Sequence, residues 1–519
     1  MTSNAQVDVL EAKGLIRLAA IRPELEYLFR HGLIQDAAYA SLLKQERREL
    51  HGRVGTALED LYPERVGELA PVLAMHFEQA GDTERAIDYY VQGAGHALGQ
   101  YAVQEAYAAF ERATTLIAEQ EQTSDEGGAL TPEETARRRR RRIDVEIGRA
   151  QAGYSFRTPE ETFEALERIV GPAEELGDLE LIARVHTLVA LGRLQNGASA
   201  GDPIVKRSLD RIVEIGAAIG DPSLGAMPTA LAGIGHVFAA DVRAGVRELE
   251  EALPLIEGRQ DTIGPAFARG ALAIGYANLG EFEKAEAAAA QATAMAGKSD
   301  LVAQLDALIA ESIVKSTEGD LDGAVPLASK CVQQSMETGA TACMVASSWV
   351  LGDAFYRQGR FAEARDALRR GSDISAVVDR KVWRPTLLAW LGSTMAALGV
   401  ADDGDWEEAL ATARSIGNRV GEAGILAKRA EVAVMRGDIE GARPDADASI
   451  AIMAEMGLRP HLARAERAWG ESLRAAGKAT EGERILREAL AGFEELGLTA
   501  EADAVRAQLA LGQTKIAFE

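Results

Sequence analysis

Two cysteines in a chain of 519 residues leave no disulfide framework and no thiolate metal site to build. They are Cys331 and Cys343, twelve positions apart in one helical stretch. Aromatic residues are scarce at 5%, which counts against sheets, because strands favour aromatic and β-branched side chains. Only 15 prolines interrupt the chain, so long helices can run unbroken. No apolar run reaches the roughly 18–20 residues a membrane span needs. The opening residues, MTSNAQVDVLEAKG, lack the charged and apolar regions of a signal peptide. Together these absences lead to the expectation of a reduced, cytoplasmic protein.

Catalytic signatures are absent as well. There is no G-x-x-x-x-G-K-[ST] loop to cradle phosphates, no G-x-S-x-G nucleophile elbow and no cyclase domain. The seven histidines, His31, His51, His76, His96, His186, His236 and His461, never pair at i, i+3 or i+4, so no helical metal motif forms. The stretch Gly93–Gly99 imitates a dinucleotide fingerprint, but it follows no strand and lies within a helical unit. The expectation is a chain with no catalytic, metal or cofactor site.

What is present is alanine, acid and periodicity. Hydrophobic residues make up 47%, rich in alanine, the best helix former. The formal net charge is −24, which repels nucleic-acid phosphate and anionic lipid and argues against both as partners. One pattern recurs: Gly, any residue, an apolar residue, two residues, then Ala or Gly. It reads GEFEKA from Gly280, GDLDGA from Gly319, GRFAEA from Gly359 and GDIEGA from Gly437, with weaker copies ADVRAG from Ala240 and GKATEG from Gly477. With a further junction at Gly399, the steps between landmarks are 40, 39, 40, 40, 38 and 40. A second set, Gly339, Gly417, Gly457 and Gly497, keeps the same period half a unit away, with steps of 78, 40 and 40.

Each unit therefore contains two helices with a junction after each. Glycine suits those junctions because the residue after a helix often takes a left-handed conformation. Leu351, Gly352 and Phe355 mark one helix around Gly359, and Phe361, Ala364 and Leu368 mark the next. Leu272, Ala273 and Tyr276, then Phe282, Ala285 and Ala289, do the same around Gly280. One such hairpin cannot bury its apolar stripe alone, whereas a stack of them can.

The pattern of Leu351-Gly352, Phe355, Gly359 and Ala364, with its counterparts in the other units, resembles the tetratricopeptide repeat. That family's unit is shorter, about 34 residues. The resemblance implies an all-α fold, a right-handed superhelix of about ten to twelve helical hairpins, whose first helices line a concave groove. Nearer the N-terminus, Gly81 and Ala86, then Tyr101, Ala106 and Phe110, fit the same pattern. Residues 15–18 and 25–29 read as strands around a turn at Arg22-Pro23-Glu24, with a helix from about Gly32. The string FRHGLIQDAAYASLL, Phe29 to Leu43, resembles a segment of bacterial regulators in which a signalling ATPase precedes a winged helix and helical repeats. Class III adenylate/guanylate cyclase-like proteins and large LuxR-type activators share that plan. The implied organisation is a partial winged-helix remnant with a β-hairpin at 1–31, a first repeat section at 32–118, a linker at 119–136 and a repeat array at 137–519.

Two candidate surfaces follow. Arg137–Arg142 form a run of six arginines that reads as a patch for an anion, nucleic acid or an acidic partner, but the acidic stretch Glu119–Glu126 offsets it, and a solvated linker and first helical turn is the preferred reading. By the repeat register, Trp349, Asp353, Tyr356 and Arg357, and further on Arg467, Glu471 and Arg474, fall on or near the groove face. Aromatic and arginine side chains are frequent binding anchors. The function expected is a non-catalytic scaffold or regulatory arm that takes a protein, peptide or small effector. An ATPase or cyclase module is the partner the resemblance implies. The alternative is a fragment of an ATPase-linked cyclase or LuxR-type regulator whose catalytic or DNA-binding part lies elsewhere.

Overall fold

A computed structural model of the chain describes residues 4–20, 26–124, 131–198, 201–258, 264–297, 300–379, 381–400 and 405–516. It is all-α apart from one small hairpin. Two compact units emerge: Met1–His96 with Ala109–Ala129, and Ala97–Ala108 with Leu130–Glu519.

The first unit opens with a helix, Asn4–Ala12, and two antiparallel strands, Ile16–Ala20 and Glu26–Phe29. Ile16 pairs with Phe29 and Leu18 with Tyr27, with an irregularity between Leu18 and Ala20. The expected turn at Arg22-Pro23-Glu24 lies outside the described residues. Helices Gly32–Ser41, Lys44–Leu61 and Val66–Ala80 follow. The small core centres on Phe77, which stacks on Tyr89 with ring centroids 5.5 Å apart and lies under the Arg85 guanidinium at 4.0 Å.

The second unit is a succession of helical hairpins. Leu301–Glu318 pairs with Leu321–Thr338, Cys343–Arg357 with Phe361–Val377, Arg419–Met435 with Ile439–Met456, and Arg459–Ala475 with Ala479–Glu495. The junction glycines adopt the conformation that selects glycine: φ is +94° at Gly319, +72° at Gly359 and +83° at Gly437. The landmark that lacks glycine behaves differently. Around Ala240 the helix closes in a π turn, His236–Ala240, and Asp241 follows with φ −144° and caps the next helix through Ala244 N.

Where it is described, the small residue five places after a landmark is the contact point of its hairpin. Ala285, Ala324, Ala364 and Ala442 are fully buried. In the two weaker copies this residue is glycine, and there backbones touch. A Cβ on Gly245 would stand 2.7 Å from Gly233 O, and one on Gly482 would stand 2.7 Å from Gly470 O. Elsewhere side chains fill the gap, as Leu368 does by packing over Gly352.

Of the expected linker 119–136, residues 119–124 continue the helix Val103–Ser124, and Pro132 already opens the helix Pro132–Gly153. The residues between, 125–130, lie outside the described ones. Thr131 caps the second helix: its hydroxyl accepts from Glu134 N at 3.2 Å, and Glu134 Oε2 accepts from Thr131 N at 3.1 Å. The same TPEET string recurs at 158–162 and builds the same box with Glu161. The arginine run lies on the first of these helices, where Arg139 pairs with Glu175 at 2.9 Å and Arg140 with Asp144 at 3.0 Å. Among the described residues, no helix is long and apolar enough to cross a membrane.

Candidate functional site: a charged aromatic cavity inside the repeat array

The first helices of successive hairpins face inward, and in the second unit they enclose a cavity of about 570 Å³. Contacts between lining residues far apart in sequence join its walls. His461 Nε2 lies 3.1 Å from Asn278 Oδ1, and Arg464 Nη2 donates to Thr317 O at 2.8 Å. Arg464 Nε reaches Glu501 Oε1 at 2.7 Å, and Arg357 Nη2 approaches the same oxygen at 3.4 Å.

Four of the chain's five tryptophans, Trp349, Trp383, Trp390 and Trp469, line this one cavity. Trp349 packs against Trp383 at 5.7 Å and edge-on to Trp390 at 6.0 Å. In a chain so poor in aromatics, this convergence gathers large, rigid apolar area in one place. The indole nitrogens of Trp349 and Trp469 are buried with no hydrogen-bond partner.

Among the rings sits a charge network. Asp353 accepts from Trp390 Nε1 at 2.9 Å and from Ser316 Oγ at 3.2 Å, with Arg357 Nη1 3.5 Å away. Burial alone would raise the Asp353 pKa, but Arg357, the indole N–H, Lys428 and Arg464 outweigh it and hold the carboxyl below its ordinary range. Glu431 follows the same logic: burial is overcome by Lys428 at 2.9 Å and by the Tyr356 hydroxyl, which donates at 2.5 Å. Burial and Glu431 in turn push the Tyr356 hydroxyl up. Lys428 also lies 4.0 Å over the Tyr356 ring and 5.1 Å from that of Trp390. Burial, assisted by Arg464, pushes His461 down to about 4, so it is neutral near pH 7.

Of the residues expected on the groove face, Trp349, Asp353, Arg357, Arg467 and Glu471 line the cavity. Arg467 Nε pairs with Glu471 Oε1 at 2.8 Å, so these two occupy each other. Tyr356 sits in the wall, held by Glu431 and by the Ser393 hydroxyl, which donates to it at 2.9 Å. Arg474 donates to Gln508 O at 2.8 Å and ties its helix to the last one. Sequence reading missed Trp390, Lys428, Glu431, His461, Arg464 and Glu501. The scarcity of tryptophan was the available signal for the first; nothing local marks the others.

Fold and site together define a tetratricopeptide-like helical-repeat protein with an inner cavity of rings and paired charges. No family model matches the chain. An uncharacterized protein of Rhizobium meliloti (strain 1021) is 29% identical over 116 residues, 22% of this chain and 11% of that protein, so the match spans about a tenth of that relative's length. Among solved structures, a Rap protein complexed with competence and sporulation factor is 12% identical and covers 74% of this chain and 99% of its own, at a TM-score of 0.43. A signal transduction ATPase with a tetratricopeptide repeat sensor from Pyrococcus horikoshii is 15% identical, covering 79% of this chain and 58% of its own, at 0.39. Aspartyl phosphate phosphatase F from Bacillus subtilis is 10% identical, covering 72% and 97%, at 0.41. These overlaps are loose, and the reading of the cavity rests on this chain's own residues.

Proposed function

We propose that the repeat unit is a non-catalytic binding scaffold, the regulatory arm of a signalling system, whose inner cavity receives a short peptide segment or a small effector. The convergence of four tryptophans on one cavity carries this reading. Every charged side chain described there is engaged with an opposite charge or a backbone carbonyl, an arrangement suited to orienting a ligand. Occupancy can act at a distance, because the same residues join hairpins remote in sequence: Arg464 contacts Thr317 and Glu501, and Tyr356 contacts Glu431. A ligand that displaces or reinforces these contacts changes the relative rotation of stacked repeats.

The test is a thermal-shift screen of the full chain against short peptides and small metabolites, with tryptophan emission as the second readout. Hits should shift both signals in the parent and lose at least tenfold in affinity in Trp390→Ala. Failure of both compound classes to shift either signal, or hits that bind Trp390→Ala equally well, would remove the cavity from consideration as a binding site.

A further inference from the structure

A second cavity of about 260 Å³ adjoins the first, and the two share Phe238, Ile274, Val382 and Trp383 as common wall. Its remaining lining is mostly hydrocarbon, with Phe267, Ile309, Ala346 and Ile416 prominent, and Tyr154, His236 and Asp306 are its polar side chains. Protein interiors are packed nearly as densely as organic crystals, so an apolar void of this size is unusual. An apolar cavity of roughly 150 Å³ already stays dry and holds benzene. The lobe is built where the repeat departs from its rule. The π turn His236–Ala240, at the one landmark without glycine, contributes His236, Phe238 and Ala239 to the lining. The polar group it brings is occupied, since His236 Nδ1 bonds Glu248 Oε2 at 2.7 Å.

The groups next to the shared wall on the charged side are neutral. Asn278 stands one turn beyond Ile274, Thr386 one turn beyond Trp383, and Asn418 Nδ2 donates to Val382 O at 3.2 Å. The charged groups Asp353, Arg357, Glu431 and Arg464 have partners already.

We infer that the two cavities take one small amphiphile, with its hydrocarbon end in the apolar lobe and an uncharged, hydrogen-bonding head, such as an amide or ester, beside Asn278 and Thr386. This rests on the reading of the inner cavity as a binding site and names the ligand class it would take. A carboxylate head would have to break existing ion pairs to be neutralised, whereas an amide or ester head can add hydrogen bonds beside Asn278 and Thr386 without displacing a charge.

The test is calorimetric titration of the full chain with N-acetyl-, N-butanoyl-, N-hexanoyl- and N-octanoylglycinamide, and with octanoate. Affinity should rise about fourfold per added methylene until the lobe is full, and octanoate should bind at least tenfold more weakly than the octanoyl amide. Ala346→Phe fills the lobe from a helix, and Ala198→Phe fills it from a half-buried loop position with less risk to folding. Either variant, melting as the parent does, should abolish the chain-length dependence. A flat series in the parent, or an undiminished series in Ala198→Phe, overturns the inference. If the series is flat while hits sensitive to Trp390→Ala persist, the amphiphile is wrong and the binding cavity stands.

Discussion

In the N-terminal unit the helix Gly32–Ser41 buries none of its side chains and Lys44–Leu61 buries only Gly55, whereas in the repeat unit Leu301–Glu318 and Cys343–Arg357 bury ten residues each. Among the described residues, twelve of the twenty exposed large apolar side chains precede residue 76. Length does not account for the difference, since Lys44–Leu61 and Leu301–Glu318 both have 18 residues. What differs is the number of neighbours, because a helix inside an array packs against its own hairpin partner and against the adjoining hairpins. The repeat unit can therefore afford a hollow interior, while the N-terminal unit depends on a single small core.

Deleting one aromatic ring from each core tests this most severely. Phe77→Ala and Phe493→Ala both remove a fully buried ring, each at a cost of about 3–5 kcal/mol. Against the roughly 5–15 kcal/mol that holds a typical domain together, the first should unfold the N-terminal unit as a whole. The second should loosen the hairpins around Leu486 and Val505 and leave earlier repeats protected. Hydrogen exchange resolved by peptide distinguishes the two outcomes. Uniform loss of protection along the array in Phe493→Ala would contradict nearest-neighbour stability.

Next in size are two glycines that admit a close neighbour. A Cβ on Gly245 meets backbone atoms, Gly233 O and Val237 N, both at 2.7 Å, and neither can move without separating two helices. A Cβ on Gly55 meets the ring of Phe77 at 2.8 Å. Overpacking costs about 1–3 kcal/mol, and alanine recovers about 0.5–1 kcal/mol of helix preference. Gly245→Ala should therefore lose about 2 kcal/mol in denaturant melts, and Gly55→Ala no more than about 0.5 kcal/mol. Equal losses would show that ring and backbone contacts are equally stiff here.

Acidification affects both units through histidines whose folded pKa is depressed. In the N-terminal unit, burial lowers His51 and His76, whose Nδ1 atoms lie 2.8 Å apart. In the repeat unit, His461 is pushed down to about 4 from an ordinary 6.5. A depressed histidine favours the neutral folded form, so its contribution is complete above pH 6.5 and is lost as pH falls toward 4. For His461 the loss between pH 7 and pH 5 is on the order of 2 kcal/mol. Glu466, which burial and Glu488 push up to about 7, opposes it over part of the same range. The clean measurement is thus the difference between parent and His461→Gln at pH 7 and pH 5, which should shrink on acidification. A difference that is independent of pH would mean that His461 does not titrate in this window.

How much of this the sequence discloses depends on distance along the chain. The hairpins follow from glycines forty apart, because a left-handed turn is decided by the few residues around it. The capping boxes at Thr131 and Thr158 are local too, and TPEET announces them, although the first was read as part of a linker. The cavity is not local. Tyr356 meets Glu431 at a separation of 75 residues, Arg464 meets Thr317 at 147 and His461 meets Asn278 at 183. Those contacts depend on the small rotation added by each repeat, which no period reveals. The register could place Trp349 and Asp353 on the inward face, but it could not say what would face them.

The smallest effect isolates the turn rule from everything else. Gly359 in the array and Gly81 in the N-terminal unit both end a helix with positive φ, +72° and +84°. A Cβ on Gly359 would meet nothing within 4 Å, and one on Gly81 only the Arg48 guanidinium at 3.9 Å. Alanine at either place is strained by backbone conformation alone, at about 1 kcal/mol. If the left-handed turn is a purely local device, Gly81→Ala and Gly359→Ala should lower stability equally in their respective units, despite the difference in neighbours. Gly280 supplies the contrast: its Cβ would stand 2.1 Å from the Leu496 side chain, so Gly280→Ala should cost measurably more than Gly359→Ala in the same unit. A larger loss at Gly359 than at Gly81 would show that the array amplifies a local strain by passing it to adjoining hairpins, the same coupling through which a ligand in the cavity would be felt along the chain.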